Sequence, residues 1–525
     1  MKTDDMKKVM GNYPLIKLFN YDEEHILVYD ARPHIMFLLE KKDQEAFYAF
    51  LDNRMSEIAD EGLLQMLRGL RSRGVLLEGG VERLFSAEKE DVKNQIEYYW
   101  KNILMRKFVI EITERCNFRC KYCPNSIETV YRHHTTKQML QETAHKSIDF
   151  YKQLYVDFYK RLSEDKQQLL LLHFPPTLGI YGGEPTLNWS GVVDAVNYFK
   201  SLDWEADGIS VDKLIVTINT NLSLINEDIL SFLVKHNVLL FSSLDGPLEE
   251  NDKNRVDING KGTFNLAYTN LLKIKEYNYS YFKNRVTILA VRAENYDEDK
   301  VDTFLKELGC NISHLSESVY GCFVRHPEEN LVEMEKMEKY WLTNKVNTIL
   351  RLEKDNIEDC FAEMEGLYAL DGVLTDTPTQ KKEPNVFLSC PMGVDNIMIG
   401  ANGDLHICHK TDGSIPFGNI HTGVDMDKMI DLYVKYINKT NCEECCSCWA
   451  VHFCKNCAAT RMRGGDFANP THAECDYFRK DAEWTVKLFL EIYKQAPHLI
   501  DELMRRKHQL EYYKSIVDFN EFIKR

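Results

Sequence analysis

Between residues 107 and 291, five short runs rich in β-branched and aromatic residues alternate with helical stretches. They are KFVIEIT (107–113), LGIYGG (178–183), KLIVTINTN (213–221), VLLFSSLDG (238–246) and RVTILAV (285–291). The segments between them carry helical apolar spacing, as in NEDILSFLVKHN (226–237). Strands that alternate with helices predict parallel βαβ units and an α/β sheet or barrel over residues 100–320. Charged and polar residues collect at the ends of these runs, where ligands bind in such folds.

Three cysteines follow the first run directly. TERCNFRCKYC spaces Cys116, Cys120 and Cys123 as C-x3-C-x2-C, with Tyr122 before the last. Iron–sulfur clusters need soft thiolates on a loop able to wrap a cube. Three such ligands leave one iron open to a substrate or cofactor, as a catalytic zinc site keeps one open position. The chain has 15 cysteines, and nine of them fall between Cys390 and Cys475. No apolar run approaches the ~20 residues that span a bilayer. The start, MKTDDMKKVM, has no apolar signal core, so we expect a cytoplasmic chain with reduced thiols and no membrane partner. A dense reduced cluster of this kind reads as metal-binding. Cys310, Cys322 and Cys360, scattered elsewhere, read as ordinary buried thiols. A net charge of −16 argues against a nucleic-acid partner.

The C-x3-C-x2-C spacing with its aromatic residue resembles the signature of the radical S-adenosylmethionine (radical SAM) superfamily, and the rest of the stretch follows that family's pattern in order. YGGEP (181–185) resembles its Gly-Gly-Glu strand end, so the resemblance places Gly182, Gly183 and Glu184 against the methionine amino group. TNLS (220–223) resembles the polar strand end near the ribose and carboxylate, which implicates Thr220 and Asn221. SLDG (243–246) resembles a further one, with Ser243 and Asp245 near the ribose. Arg285 or Arg292 is a candidate for the cofactor carboxylate, and His133 and His134 read as surface loop residues. The resemblance implies a partial (β/α)6 TIM-like barrel. It also implies S-adenosylmethionine as cofactor and a 5′-deoxyadenosyl radical that abstracts hydrogen from an unactivated C–H. The cofactor supplies that chemistry, and the protein supplies orientation and exclusion of water.

The C-terminal cysteines are similar to the SPASM auxiliary-cluster domain of peptide-modifying radical enzymes. Cys390, Gly403 and Cys408 read as C-x12-G-x4-C, followed by Cys445, Cys448, Cys454 and Cys457 as C-x2-C-x5-C-x2-C and then by Cys475. The family pattern has x3 in the last interval. The resemblance assigns Cys445, Cys448, Cys454 and Cys475 to a distal 4Fe-4S cluster. Cys390, Cys408 and Cys457 go to a nearer one, which makes three clusters in all. The usual fourth ligand of the nearer cluster is missing from PMGVDNIMIG. Its place is either an open iron, suited to a substrate thiolate, or is filled by Cys442 or Cys446. Two C-x2-C pairs also suit zinc. A zinc scaffold without catalysis leaves Cys116–Cys123, YGGEP and SLDG unexplained.

Residues 1–95 read as a hairpin (HILVYDARPHIMFLL, 25–39), two helices and a short strand, VLLEGG. This order resembles the winged-helix-like PqqD-like module that grips leader peptides of ribosomally made, post-translationally modified peptides (RiPPs) along a strand edge. A structural cap and a DNA-binding winged helix are the alternatives. Further boundaries fall at a helical bridge (321–385), the Cys-rich domain (386–480), organised by metal rather than by a large apolar core, and C-terminal helices (481–525). The expected function is a peptide maturase that forms an intramolecular crosslink, a Cys thioether of the sactipeptide or ranthipeptide type first. Its partners would be a precursor peptide with a leader and a flavodoxin- or ferredoxin-type electron donor. C–C or C–O crosslinking, epimerisation and anaerobic sulfatase maturation are the alternatives. The sulfatase maturase is expected to carry an Asp base directly after the G-x4-C cysteine. Here that residue is His409, a candidate proton acceptor.

Overall fold

The computed structural model describes residues 8–80, 88–102, 104–123, 125, 133–291, 297–315, 338, 339, 341–354, 370, 392–411, 413–440, 443–454 and 457–506. Arg292, Cys322, Cys360, Cys390, Cys442 and most of the bridge at 321–385 lie outside them.

The described residues build one eight-stranded sheet in the order β11-β10-β4-β5-β6-β7-β8-β9. The strands are β4 (Lys107–Thr113), β5 (Thr177–Gly182), β6 (Ile215–Thr220), β7 (Leu239–Ser243), β8 (Val286–Val291), β9 (Asn311–Leu315), β10 (Asn396–Ile399) and β11 (Leu405–His406). Strands β4 to β9 run parallel in chain order. Helices connect them, among them Gln141–Tyr159, Trp189–Ser201, Glu227–Lys235, Phe264–Tyr277 and Glu298–Leu308. This is the α/β order that the alternating runs predict.

Side-chain alternation explains how the sheet is covered. Phe108, Ile110 and Ile112 of β4 enter the same core as Leu178, Ile180, Val216, Ile218 and the helix residues Ile148, Tyr151, Val196 and Phe199. Successive strand residues point to opposite faces, so Glu111, Tyr181 and Asn219 belong to the other face. Helix ends follow local chemistry. Asn226 accepts a hydrogen bond from the Ile229 amide at 2.9 Å and so caps Glu227–Lys235. Thr471 and Glu474 form a reciprocal capping box at the start of His472–Gln495.

Several expectations change. First, the Cys-rich segment shares the main apolar core. Met392, Val394, Ile397, Ile399, Leu405, Ile407 and Phe417 all belong to it. Strand β10 pairs parallel with β4 in the register Asn396↔Lys107 to Ile399↔Ile110. The start of β10 is stapled to the start of β4, because Arg106 and Lys107 both donate to the Asp395 carbonyl (2.8 and 3.0 Å) and Arg106 pairs with the Asp395 carboxylate. The four-residue apolar run of β10 is too short to be recognised without its partner. Second, helix Lys89–Asn102 crosses the expected boundary at 95, and its Val92 and Ile96 are buried in the central core. Helix His472–Gln495 likewise crosses 480. Third, Val75 and Leu76 of VLLEGG are buried without forming a strand; Leu76 is left-handed (φ 57°) and its amide is held by Asp30 at 2.7 Å. Strands β8 and β9 pair as neighbours, although the sequence reading found no strand at 311–315.

The N-terminal unit is a three-stranded antiparallel sheet, β1 (Ile16–Asn20), β2 (His25–Asp30) and β3 (Ile35–Glu40), with helices Gln44–Leu51 and Glu61–Ser72. Strand β1 was not expected. Both faces of the sheet are covered. Ile16, Ile26, Val28 and Leu39 face the unit's own helices. Leu15, Phe19, Leu27 and Tyr29 pack with Trp449, Phe453, Ala482, Val486 and Leu490 of the C-terminal region. Polar contacts reinforce this face: His452 Nε2 lies 2.8 Å from the Ala31 carbonyl, and Lys17 pairs with Glu483 at 2.7 Å. Trp449 is the largest side chain in the seam and is nearly buried. Trp449→Ala should cost about 3 kcal/mol, measured by denaturant unfolding. Hydrogen exchange of residues 15–31 should speed up selectively, and uniform protection across that segment would contradict the seam.

Candidate active site

The loop with Cys116, Cys120 and Cys123 leaves the C-terminal end of β4, and the end of β5 holds its first residues. The Gly183 amide donates to the Thr113 carbonyl at 2.8 Å, and the Glu184 amide to the Arg115 carbonyl at 2.7 Å. A Cβ on Gly182 would lie 2.3 Å from the Thr113 oxygen, and one on Gly183 would lie 2.2 Å from the Arg115 oxygen. Only glycine permits this approach.

Glu184 is 1% exposed. Its Oε1 accepts from the Thr186 amide and hydroxyl (3.1 and 2.6 Å) and from the Thr220 hydroxyl (2.8 Å), and its Oε2 accepts from the Asn221 amide (2.6 Å). Burial pushes this carboxyl up from its ordinary value, and the four donors oppose that shift. Among the described residues Oε2 accepts one bond, which leaves it room for a further donor.

The turn after β6 reaches the cysteine loop. Asn221 Nδ2 donates to Asn117 Oδ1 at 2.9 Å and stands 4.0 Å from Cys116 Sγ, while Asn117 Nδ2 donates to Ser223 Oγ at 2.8 Å. Thr220 also accepts from the Leu222 amide (3.1 Å), and Leu222 is left-handed at φ 64°. Asn117 was missed by the sequence reading, since no motif residue marked it.

On the other side, the Tyr122 hydroxyl donates to Asp245 Oδ2 at 2.7 Å and accepts from Arg255 Nη1 at 2.5 Å. Asp245 Oδ1 accepts from the Val291 amide at 3.0 Å. Both carboxylate oxygens of Asp245 are thus engaged by protein. Burial raises its pKa and Arg255 pulls it back. Ser243, at the end of β7, is half-buried. Arg255 is a second residue that sequence spacing did not mark. Arg285 stands immediately before β8, at the opposite end of that strand from the cysteine loop. His134 Nδ1 lies 3.3 Å from the Glu114 carbonyl, and His133 is exposed.

Burial pushes Cys116 up to about 12 and Cys120 up to about 11, the second despite the pull of Arg255. Both thiols therefore hold their protons at neutral pH, and a metal must displace them on binding. Among the described residues, no group of three or more His, Cys, Asp or Glu side chains is already gathered as a metal site. The donor set itself suits a cluster: three soft sulfurs on one eight-residue loop, fixed on both flanks.

In the C-terminal region, Cys408 follows β11. Burial raises its pKa, and the neighbouring Cys457 adds to the rise, so these two sulfurs are near one another. Cys457 is the N-cap residue of helix Ala458–Arg461. Cys445 and Cys446 lie in the turn Glu443–Ser447, and the Cys448 amide donates to the Cys445 carbonyl at 3.2 Å. Arg479 hydrogen-bonds Cys448 and also feels the charge of Cys475. Cys454 is half-buried. His409 places its ring 5.4 Å from that of Tyr181, edge on. Tyr181 pairs in register with Glu111, so His409 stands beside the polar sheet face rather than in a remote loop.

Residues 110–305 match the family model described as the radical SAM superfamily. The radical SAM cyclopropyl synthase TigE of Paramaledivibacter caminithermalis is 21% identical over 457 residues, 82% of this chain and 83% of that enzyme. The cysteine-type anaerobic sulfatase-maturating enzyme of Clostridium novyi is 29% identical over 196 residues. That match covers 37% of this chain and 46% of the relative, less than half its length. Among solved structures, native anSMEcpe with bound AdoMet and Cp18Cys peptide superposes with a TM-score of 0.50 at 18% identity, over 76% of this chain and 98% of that one. The fold, the cysteine loop and the matched span agree that residues 110–305 carry a radical SAM domain.

Proposed function

We propose that this protein is a cytoplasmic peptide maturase. It would modify a ribosomally made precursor peptide and form an intramolecular crosslink, with a Cys thioether as the first product to seek. The observation that carries this reading is that two cysteine-bearing regions are built on one sheet, the first beyond the end of β4 and the second, since β11 runs back along β10, toward its start. Cys116, Cys120 and Cys123 follow β4, and β10, paired to β4, leads through β11 into Cys408 and His409.

Cys116, Cys120 and Cys123 would hold a 4Fe-4S cluster. Glu184 Oε2 would take the amino group of S-adenosylmethionine, and the strand ends at Thr220, Asn221 and Ser243 would line the rest of that cofactor. When bound, the pair supplies a 5′-deoxyadenosyl radical for hydrogen abstraction. The chain's own residues do the positioning. The glycine contact fixes the loop, Asn117 and Asn221 clasp its first cysteine, and His409 would accept a proton from a substrate thiol at Nδ1 or Nε2. Cys408 and Cys457, with Cys390, would hold the nearer auxiliary cluster, and Cys445, Cys448, Cys454 and Cys475 the distal one. A flavodoxin or ferredoxin would deliver electrons.

The N-terminal unit supports a peptide partner. In its sheet β3 is an edge strand, and an edge can accept an added peptide strand. Leu38 on that strand is 43% exposed. Among solved structures of this fold, anSMEcpe was determined with a bound peptide.

Two other products have support. A relative that matches 82% of this chain is a radical SAM cyclopropyl synthase, which favours carbon–carbon bond formation as the second reading. Sulfatase maturation has the partial match to the Clostridium novyi enzyme behind it, with His409 where an Asp base is expected.

Mass spectrometry of a Cys-containing precursor after anaerobic turnover separates these readings. A thioether or a carbon–carbon bond removes a pair of hydrogens, and alkylation of the remaining thiol distinguishes the two. Formylglycine loses two hydrogens as well and also exchanges sulfur for oxygen. Replacing Cys116, Cys120 and Cys123 together by Ala should abolish S-adenosylmethionine cleavage, and persistent cleavage would remove the first cluster from this loop. Leu38→Glu should weaken leader binding about tenfold, read by fluorescence anisotropy, while peptide-independent cofactor cleavage stays unchanged. Equal affinity would take recognition away from β3.

A further inference from the structure

The cysteine loop has a second wall that no motif announced. Residues 254–257 run beside it: the Arg119 amide donates to the Val256 carbonyl at 2.7 Å, the Lys121 amide donates to the Asn254 carbonyl at 2.9 Å, and Phe118 bridges Asp257. Arg255 is only 6% exposed, sits among these backbone bonds and meets the loop's Tyr122. Its Nη1 is 2.5 Å from the Tyr122 hydroxyl and 3.7 Å from Asp245 Oδ1. Its backbone is fixed as well, since the Arg255 amide donates to the Asn251 carbonyl (2.9 Å) and its carbonyl accepts from the Thr263 hydroxyl (2.9 Å). Asn251 Oδ1 in turn accepts from the Asp245 amide (3.2 Å).

A buried guanidinium costs desolvation free energy and is kept where negative charge offsets it. Asp245 supplies one such charge. The loop's thiolates would supply more, and reduction of a cluster held by them adds a further negative charge to the same small volume.

We propose that Arg255 is a positioning residue for the first cluster. It clamps Tyr122 against Asp245, and its buried positive charge raises the reduction potential of the cluster held by Cys116, Cys120 and Cys123. The inference rests on reading those three cysteines as ligands.

The sign of the effect can be tested in both directions. In reconstituted protein, the S-adenosylmethionine-responsive EPR signal is titrated against potential for wild type, Arg255→Met and Asp245→Asn. Arg255→Met removes the cation and should lower the midpoint by about 59 mV, a tenfold change for a one-electron couple. Asp245→Asn removes the anion, keeps the shape and should raise it. A merely structural role would not shift the midpoints in opposite senses. Equal midpoints, or shifts of one sign in both variants, overturn the proposal. If Arg255→Met fails to hold iron, the Asp245→Asn midpoint decides alone, and an unchanged or lowered value overturns the proposal. Iron content tests the underlying assignment separately. If wild type and the triple Cys116, Cys120 and Cys123→Ala variant bind equal iron, the ligand reading fails and the role of Arg255 falls with it.

Discussion

The ends of β4 and β5 meet through backbone alone, and the cysteine loop depends on that contact. With a Cβ at 182 or 183 the carbonyls of Thr113 and Arg115 would be overlapped at 2.3 and 2.2 Å. The strands would have to part, and Glu184 would move with them. Its carboxylate accepts from Thr186, Thr220 and Asn221, so the end of β6 and its following turn would lose this tie to the end of β5. Hydrogen bonds to a charged buried group are each worth about 1.5–3 kcal/mol. The turn that clasps Asn117 follows β6 by one residue, so the disturbance would reach the loop from its second flank. Two missing methyl groups therefore set the position of three sulfurs.

The central fold was legible because each strand run announces itself locally. KFVIEIT begins and ends where β4 does, and GGE, TNLS and SLDG stand at strand ends, as polar residues after apolar runs should. The parts that were not legible are those whose meaning depends on a distant partner. Strand β10 is four residues long and forms because β4 offers an edge. Arg255 lies in a stretch of charged and polar residues that reads as a solvated loop, and only pairing with 118–121 turns its side chain inward. Asn117 looks like any loop residue until Ser223, 106 positions away, accepts its bond. Short local patterns carry the strands. Long-range pairings carry the walls of the site.

The same distinction explains the N-terminal unit. Its β2 is buried along almost its whole length, a pattern that suits a strand with two covered faces rather than an independent module with one wet face. Its second cover is Trp449 and Phe453, which flank the cysteines at 448 and 454. Arg32 Nη2 donates to the carbonyls of Glu78, Gly79 and Gly80 at 2.9–3.0 Å, and a Cβ on Gly80 would lie 2.5 Å from the Cys446 carbonyl. The chain's first and last regions are thus packed as one body. A peptide held on β3 would be anchored to the segment that carries the distal cysteines.

Two buried carboxylates flank the cysteine loop, and their surroundings differ in one respect. Asp245 has a cation, Arg255, and both of its oxygens are used in building the loop. Glu184 has hydrogen-bond donors but, among the described residues, no cation. A buried carboxylate in that state is held above its ordinary pKa and gains most from a positive ligand group. The ammonium of an amino-acid cofactor supplies such a group, and Glu184 Oε2 retains the acceptor capacity to receive it. The sequence resemblance assigned both acids to cofactor binding. The charge balance around them favours a division of labour in which Glu184 meets the cofactor and Asp245, locked to Tyr122 and Arg255, shapes the loop that carries the cluster.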